Sequence, residues 1–214
     1  MNADLFSMLM LAASVGVAHT LLGPDHYVPF VALGKARAWS YKKLAWITTL
    51  CGVAHVGSSI VIGLVGISVG KSLAELMGLE ISRGSVAGWL LFGFGLAYTI
   101  WGIRRLLRGN NSLESNPHSR QAFQFWALFI VFALGPCEPL IPILMVPASH
   151  VNMGSLLGVC GVFMFTTVGT MLLTVFALTV GLSTVKLRIV QRFGAVIAGV
   201  AITCCGAGMV FWGS

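Results

Sequence analysis

The sequence GPDHYVP at residues 23–29 decides the fold, because a similar stretch, GPCEPLIP, returns at residues 135–142. The two stretches begin 112 residues apart in a chain of 214 residues, so each half of the chain carries one. Both lie within long apolar segments, where Gly-Pro interrupts a helix and an acidic residue follows. Matching Gly/Pro-interrupted segments in the two halves of a membrane protein point to a binding site. We therefore expect two broken helices around a polar centre.

The composition is that of a polytopic membrane protein. Hydrophobic residues make up 57% of the chain, charged residues make up 9%, and the mean hydropathy is +0.92, whereas soluble domains carry roughly 25% charged residues. At about 20 residues per span, the pattern predicts six transmembrane helices, at residues 5–33, 44–70, 86–107, 122–147, 154–182 and 193–213. The first segment is long enough for one span plus a bent or broken turn.

The net charge of +7 indicates membrane topology rather than nucleic-acid binding. Eleven of the 13 basic residues fall in three loops on one side of the six-helix arrangement: Lys35, Arg37, Lys42, Lys43, Arg104, Arg105, Arg108, Arg120, Lys186, Arg188 and Arg192. Only Lys71 and Arg83 fall on the other side, where we expect an outer loop. The positive-inside rule then places the basic loops in the cytoplasm and both termini outside. The expected partner is a lipid bilayer and not a nucleic acid.

We predict an all-α polytopic membrane protein whose six transmembrane helices form an inverted 3+3 repeat with broken helices 1 and 4. The first three-helix repeat covers residues 1–108, a cytoplasmic linker covers 109–121, and the second repeat covers 122–214. Weaker matches at nearly the same spacing favour this division: HVGS at 55–58 resembles TVGT at 167–170, and GFG at 93–95 resembles GAG at 206–208. We interpret His118 and His150 as ordinary surface histidines.

Polar residues inside the predicted spans form the candidate site, and they are His19, Asp25, His26, His55, Cys137 and Glu138. An ionisable residue at the centre of a bilayer is costly and indicates function. Imidazole and carboxylate donors, with Cys137 as a candidate thiolate, suit a divalent transition metal such as nickel, cobalt or zinc better than magnesium or calcium. His19 and His26 would be about 10 Å apart along an unbroken helix, and a break at Gly23-Pro24 can bring them together. Each residue taken singly is equally compatible with a structural, hydrogen-bonded role.

The prolines add a second kind of candidate ligand. A proline inside a helix leaves a carbonyl one turn earlier without its hydrogen bond, and Pro142 is expected to free the carbonyl of Glu138 in this way. Free carbonyls inside a membrane are tolerated next to a cavity, where they can bind a cation.

These motifs resemble those of the nickel/cobalt permeases and of the related NicO efflux family. HTLLGPDH at 19–26 is similar to their first-helix signatures H-x4-D-H and H-A-L-x-P-G-H, with one extra residue before the Asp-His pair. GVAHVGSS at 52–59 resembles the second-helix histidine region, LGPCEP at 134–139 resembles G-x-x-P-C-P, and VGTMLLT at 168–174 resembles G-x-A-L-T. The resemblance implies His19, Asp25 and His26 as primary metal ligands, with His55 in support. The wider superfamily includes urease-accessory-type and sulfite-exporter-like membrane proteins.

The function expected from these features is transport, not enzymatic catalysis. Ni²⁺ or Co²⁺, or alternatively Zn²⁺, would be the transported substrate, with no tightly bound cofactor, in the plasma (inner) membrane of a prokaryote. Glu138 and Cys137 would be substrate ligands, or Glu138 would link transport to a proton gradient. A homo-oligomer or an accessory subunit is compatible with the sequence.

Three alternatives stay open at this point. A transmembrane thiol-disulfide relay needs two thiols that meet, and only Cys137 lies in a Gly-Pro motif, so it would need Cys51 as its partner. An exporter of a small oxyanion such as sulfite would use the positive ends of broken helices, although we expect no Lys or Arg within the membrane core. An assembly factor for a metalloenzyme is the third.

Overall fold

The structure, a computed structural model, describes residues 3–107, 117–148, 153–182 and 187–212. These residues form helices joined by short connections, with no strand among them. The elements are α1 (Ala3–Leu22), a 3₁₀ turn (Pro24–His26), α2 (Val28–Ala36), α3 (Tyr41–Ser68), α4 (Leu73–Leu107), α5 (Pro117–Leu134), α6 (Leu140–Ala148), α7 (Met153–Gly181) and α8 (Leu187–Trp212). The all-α prediction is confirmed.

Five helices are long and apolar enough to cross a membrane: Leu5–Leu22, Tyr41–Ser68, Leu73–Leu107, Gly154–Gly181 and Phe193–Phe211. The predicted span at 122–147 is divided between α5 and α6, and its apolar helical stretch, Phe125–Leu134, is shorter. Large apolar side chains point outward from these helices, as at Leu22 (83% exposed) and Phe165 (81% exposed). Such a surface suits contact with lipid tails rather than water.

Both Gly-Pro motifs interrupt their helices, as predicted. In the first break, α1 ends at Leu22 and the chain passes through the 3₁₀ turn before α2 begins. In the second break, α5 ends at Leu134 and α6 begins at Leu140. The expectation that Pro142 frees the carbonyl of Glu138 is wrong, because this carbonyl accepts a hydrogen bond from the Ile141 N–H at 3.3 Å in the turn that leads into α6.

Helix α4 begins 13 residues before the predicted start at residue 86. Its first turn is closed by a capping box, in which the Ser72 N–H donates to the Glu75 carboxylate (2.8 Å) and the Glu75 N–H donates to Ser72 Oγ (3.3 Å). The motif S-x-x-E at 72–75 is visible in the sequence. As a result Glu80, and Arg83, which we expected in an outer loop, lie within a helix that is long and apolar enough to cross a membrane.

Helix α5 already begins at Pro117, within the C-terminal part of the stretch predicted as a linker at 109–121. Proline is well suited to this first helical position, where its missing N–H has no partner to lose. Residues 109–116, His150 and Lys186 lie outside the described residues.

Helices α4 and α8 pack against each other in antiparallel fashion through glycines spaced seven residues apart. Gly95 faces Thr203, and a Cβ atom on Gly95 would lie 2.8 Å from Thr203 Cα. The other glycines of this seam are Gly88 and Gly102 on α4, and Gly199 and Gly206 on α8. Small residues at such positions let two membrane helices bring their backbones together.

The directions of the other long helices follow from the residues that face one another. Helix α3 runs antiparallel to α7, and α1 runs parallel to α7. The pairs that define these directions are Gly52–Met171 and Gly57–Met164 for the first, and Leu9–Gly158 and Gly16–Thr167 for the second.

The buried apolar residues form two clusters on either side of the histidines. One cluster contains Phe30, Cys51 and Phe132, and the other contains Val56, Leu140 and Phe163. His55 is buried. It lies one helical turn after Cys51, which belongs to the first cluster, and directly before Val56, which belongs to the second. The histidine therefore lies at the boundary between the two apolar clusters.

Replacing Gly95 by leucine should strongly destabilise the protein, because the side chain has no room at the α4–α8 contact. Overpacking costs typically 1–3 kcal/mol, and contact with a backbone leaves little freedom to relax. Gly93→Leu is the matched control, since Gly93 lies two residues away on the same helix and a Cβ atom there would meet no neighbouring atom within 4 Å. Thermal unfolding in detergent measures the effect. Equal unfolding midpoints for the two variants would contradict this packing.

Candidate metal centre

The first helix break brings His19 and His26 together. Their ring centroids are 4.6 Å apart, with the rings nearly perpendicular, whereas the same seven-residue separation in an unbroken helix spans about 10 Å. The Gly23 N–H still bonds to the His19 carbonyl (3.1 Å), and the 3₁₀ turn then carries His26 back over the end of α1. Pro24 at the start of that turn explains why the helix cannot continue.

His55 reaches the same point from α3. Its Nε2 lies 3.3 Å from His26 Nε2, and its ring is stacked on that of His19 with centroids 6.3 Å apart. Each of the three histidines offers a ring nitrogen that lies within 4.8 Å of the other two. His26 and His55 are each 3% exposed. Three of the sequence-predicted ligands therefore converge in one buried cluster.

Hydrogen bonds determine which ring nitrogens face one another. His26 Nδ1 lies 3.2 Å from the Gly23 carbonyl and 3.3 Å from Asp25 Oδ2. His55 Nδ1 lies 3.3 Å from the Phe132 carbonyl. Because carbonyl and carboxylate oxygens only accept hydrogen bonds, both Nδ1 atoms carry their proton and donate it. When both rings are neutral, their Nε2 atoms are both acceptors; when His26 also carries a proton on Nε2, it donates that proton to His55 Nε2.

The three inward-facing nitrogens form an arrangement that suits a cation. In the neutral state of both rings the Nε2 lone pairs of His26 and His55 face each other at 3.3 Å, and His19 Nε2 is buried without a hydrogen-bond partner. Buried polar atoms without partners are costly and rare in native structures. A positive ion bound by the three nitrogens would remove the lone-pair repulsion and satisfy the orphaned atom at once.

The spacing of His26 and His55 and the donor type of all three residues suit a divalent transition metal. A tetrahedral ion with metal–nitrogen bonds of 2.0–2.1 Å holds its ligand nitrogens about 3.3–3.4 Å apart, close to the 3.3 Å between His26 Nε2 and His55 Nε2. Neutral imidazole is a ligand for nickel, copper, zinc and iron rather than for calcium or magnesium. Asp25 on the Nδ1 side of His26 is the carboxylate that commonly orients a metal-binding histidine.

A cavity of about 500 Å³ leads to this cluster. Its lining includes His19, Asp25 and His26 from the first break, and Pro136 and Glu138 from the second break. Asp25 and Glu138 are both partly exposed. The cavity therefore joins the two Gly-Pro motifs, with a carboxylate from each.

Two aromatic rings pack together beside the cluster. Phe30 and Phe132 are buried, with centroids 4.7 Å apart. The ring of Phe132 also lies 6.1 Å from that of His55. The cluster is therefore bordered by the cavity at His19 and His26 and by this aromatic pair at His55.

Cys137 is fully buried and lies outside the three-histidine group. Its backbone N–H donates to Glu80 Oε2 (2.9 Å) and also approaches Ser59 Oγ (3.2 Å). Cys137 and Cys51 pack in different apolar clusters, and both thiols are free. Cys137 therefore contributes its backbone N–H to the hydrogen bonds that hold the second break, and its thiol is not part of the histidine group.

Glu80 and Arg83 are polar residues of this region that sequence reasoning missed. Glu80 is fully buried and forms an ion pair with Arg83, which is 15% exposed. Arg83, which the sequence analysis placed in an outer loop, lies in helix α4, which is long and apolar enough to cross a membrane. The capping box at 72–75 was the available signal, since it predicts a helix that already includes both residues.

We expect divalent metal to stabilise the protein through the histidine cluster. Ligand at 100 times its Kd raises the free energy of unfolding by about 2.7 kcal/mol. Ni²⁺, Co²⁺ or Zn²⁺ should therefore raise the unfolding midpoint of the wild-type protein and leave His55→Ala unchanged.

His118→Ala is the control, because α5 places residue 118 about 21 Å along the helix from Phe132, at 1.5 Å per residue. It should respond to metal as the wild type does. Metal stabilisation that survives in His55→Ala would exclude the cluster as the binding site.

No protein-family model, curated protein or solved structure matches this chain. What the site binds is therefore inferred from its own donor atoms: three imidazoles in an apolar helical protein, with two carboxylates along the cavity that leads to them.

Proposed function

We propose that this protein is a membrane transporter of a divalent transition-metal ion, with nickel or cobalt favoured by the resemblance of its motifs. The observation that carries the proposal is the convergence of His19, His26 and His55 at a helix break, at the end of a cavity inside an apolar helical bundle. Ionisable residues in such a position mark ion pathways. The plasma membrane of a prokaryote, with the basic loops in the cytoplasm, is part of this proposal.

An inverted 3+3 repeat is the proposed architecture, and the order of the elements supports it. A long helix, a break, a short helix and two long helices occur twice. The short helices α2 and α6 have nine residues each, and Leu140 follows Val28 by the same 112 residues that separate the two Gly-Pro motifs.

The directions of the helices support the same architecture. The α5–α6 segment runs parallel to α3, because His55 meets Phe132, and Ser59 meets Cys137 further along both segments. Since α3 is antiparallel to α7 and α7 is parallel to α1, helices α1 and α5 run in opposite directions. Opposite directions for corresponding helices are what an inverted repeat requires.

Access to the site from one face at a time fits this arrangement. The cavity lies toward the end of the bundle where α4 begins and α8 ends, since Gly84 and Met209 line it. With the basic loops in the cytoplasm, this face would be extracytoplasmic, and the packed Phe30–Phe132 pair would form the barrier on the inward side. Transport then requires the two halves to move relative to each other around the histidines.

The carboxylates have separate roles in this proposal. Asp25 balances the charge of the bound ion and orients His26, with its Oδ2 3.3 Å from His26 Nδ1. Glu138 lies along the cavity and belongs to the second half. It is suited to guide the cation toward the histidines, or to take up the proton that exchanges for it.

The alternative functions have less support. A thiol relay requires Cys51 and Cys137 to meet, and they pack in different apolar clusters. An oxyanion site would need an available cation, but Arg83 is bound by Glu80, Ser58 and the Ala133 carbonyl. Two carboxylates along the cavity would in addition repel an anion.

Metal flux in proteoliposomes tests the proposal. Wild-type protein should move Ni²⁺, Co²⁺ or Zn²⁺ across the vesicle membrane, whereas His26→Ala should lose the flux because the central imidazole of the cluster is gone. His118→Ala should match the wild type. If the wild-type protein moves none of the three ions in either direction, the transport proposal is wrong.

A further inference from the structure

The buried ion pair of Glu80 and Arg83 has a specific place in the fold: it fills the second helix break. Glu80 is fully buried and Arg83 is 15% exposed. A buried charge is retained only when it is paired and its remaining hydrogen-bonding atoms are satisfied. Here both conditions hold, because Glu80 Oε1 accepts from Arg83, and Glu80 Oε2 accepts from Ser59 Oγ and from the Cys137 N–H, each at 2.9 Å.

Arg83 and Glu80 form hydrogen bonds with the backbone on opposite sides of the second break. Arg83 Nη2 donates to the Ala133 carbonyl at 2.9 Å and approaches the Gly135 carbonyl at 3.4 Å. These are carbonyls at the end of α5, where a positive charge is favourable. Glu80 accepts from the Cys137 N–H on the other side of Pro136. The pair therefore satisfies backbone groups that the interrupted helix leaves free.

The first break uses the corresponding carbonyls differently. Leu21 and Gly23 precede Ala133 and Gly135 by 112 residues each. The Leu21 carbonyl accepts from Tyr27 OH at 3.4 Å, and the Gly23 carbonyl faces His26 Nδ1 at 3.2 Å. The backbone N–H of His26 also donates to the Gly23 carbonyl at 3.0 Å, so these carbonyls are covered by groups of the first break itself. At the second break they are covered by a permanent cation.

Arg83 also reaches His55 by two short routes. Its Nη2 donates to Ser58 Oγ at 2.7 Å, and Ser58 Oγ donates to the His55 carbonyl at 2.8 Å. The same nitrogen holds the carbonyl of Ala133, the next residue after Phe132, whose carbonyl accepts from His55 Nδ1. Arg83 thus holds both the backbone of His55 and the acceptor that sets the orientation of its ring.

We propose that Arg83, with Glu80 as its counter-ion, is a positioning residue of the metal site. It is a fixed cation at the second helix break that holds His55 with Nε2 directed at His19 and His26. This inference rests on the proposed metal binding at the histidine cluster. In this inference the residues at the first break bind the ion, and the residues at the second break hold His55 in place.

Cobalt binding by the full chain in detergent tests the inference, because the visible absorption of Co²⁺ reports the number and geometry of its ligands. Arg83→Ala should bind Co²⁺ about 10- to 100-fold more weakly, as loss of an outer-shell partner does in metal sites, and with altered visible bands. Added guanidinium should restore both the affinity and the spectrum. Urea, which has a similar shape and no charge, should not. Arg104→Ala, at an exposed position of the same helix, should behave as the wild type does.

If Arg83→Ala keeps the wild-type affinity for Co²⁺ and the wild-type visible spectrum, the inference is wrong. It is also wrong if urea restores binding as well as guanidinium does. If Arg83→Ala does not fold, Ser58→Ala decides the question. That variant removes one route from Arg83 to His55 and leaves the ion pair intact, so its Co²⁺ affinity should fall in the same direction by a smaller factor. An unchanged Ser58→Ala would then contradict the inference. If the wild-type protein shows no Co²⁺ spectrum, the proposed function fails first and this inference fails with it.

Discussion

Backbone N–H and C=O groups that leave a helix inside an apolar bundle need polar partners, and this constraint accounts for where the polar side chains of this protein lie. Two Gly-Pro motifs interrupt helices, and each interruption leaves carbonyls at the end of one helix. At the first break His26 and Tyr27 cover them. At the second break Arg83 covers them, with Glu80 holding the N–H of Cys137. Polar residues are concentrated at these breaks because the breaks create the demand.

The two solutions have different chemical consequences. A neutral histidine that donates its Nδ1 proton to a carbonyl presents the lone pair of its Nε2 to the opposite side. His26 and His55 both do so, and their Nε2 atoms meet at 3.3 Å beside the orphaned Nε2 of His19. The first break therefore offers a place for a cation. The guanidinium of Arg83 supplies that charge at the second break, which can then act as a fixed support for His55 on the neighbouring helix.

The candidate site was partly predictable. The approach of His19 and His26 follows from Pro24, because a residue without an N–H ends the helix locally. That His55 joins them, and that Cys137 does not, depends on contacts between residues 29 and 78 positions apart in the chain, which no local pattern specifies. Glu80 and Arg83 were missed because charged residues near the edge of an apolar run resemble a loop, although the capping box of Ser72 and Glu75 indicated a longer helix.

The sequence by itself determined that the chain is helical and apolar and that it breaks at residues 23–24 and 135–136, because hydropathy and proline act over a few neighbouring residues. The tertiary structure decided which donors meet, which nitrogen of each imidazole faces the centre, and which side chains cover the freed carbonyls. Those outcomes depend on how α1, α3, α4 and α5 approach one another. Such approaches are set by close packing of side chains across the whole bundle, as at the α4–α8 glycines, and not by any single stretch of sequence.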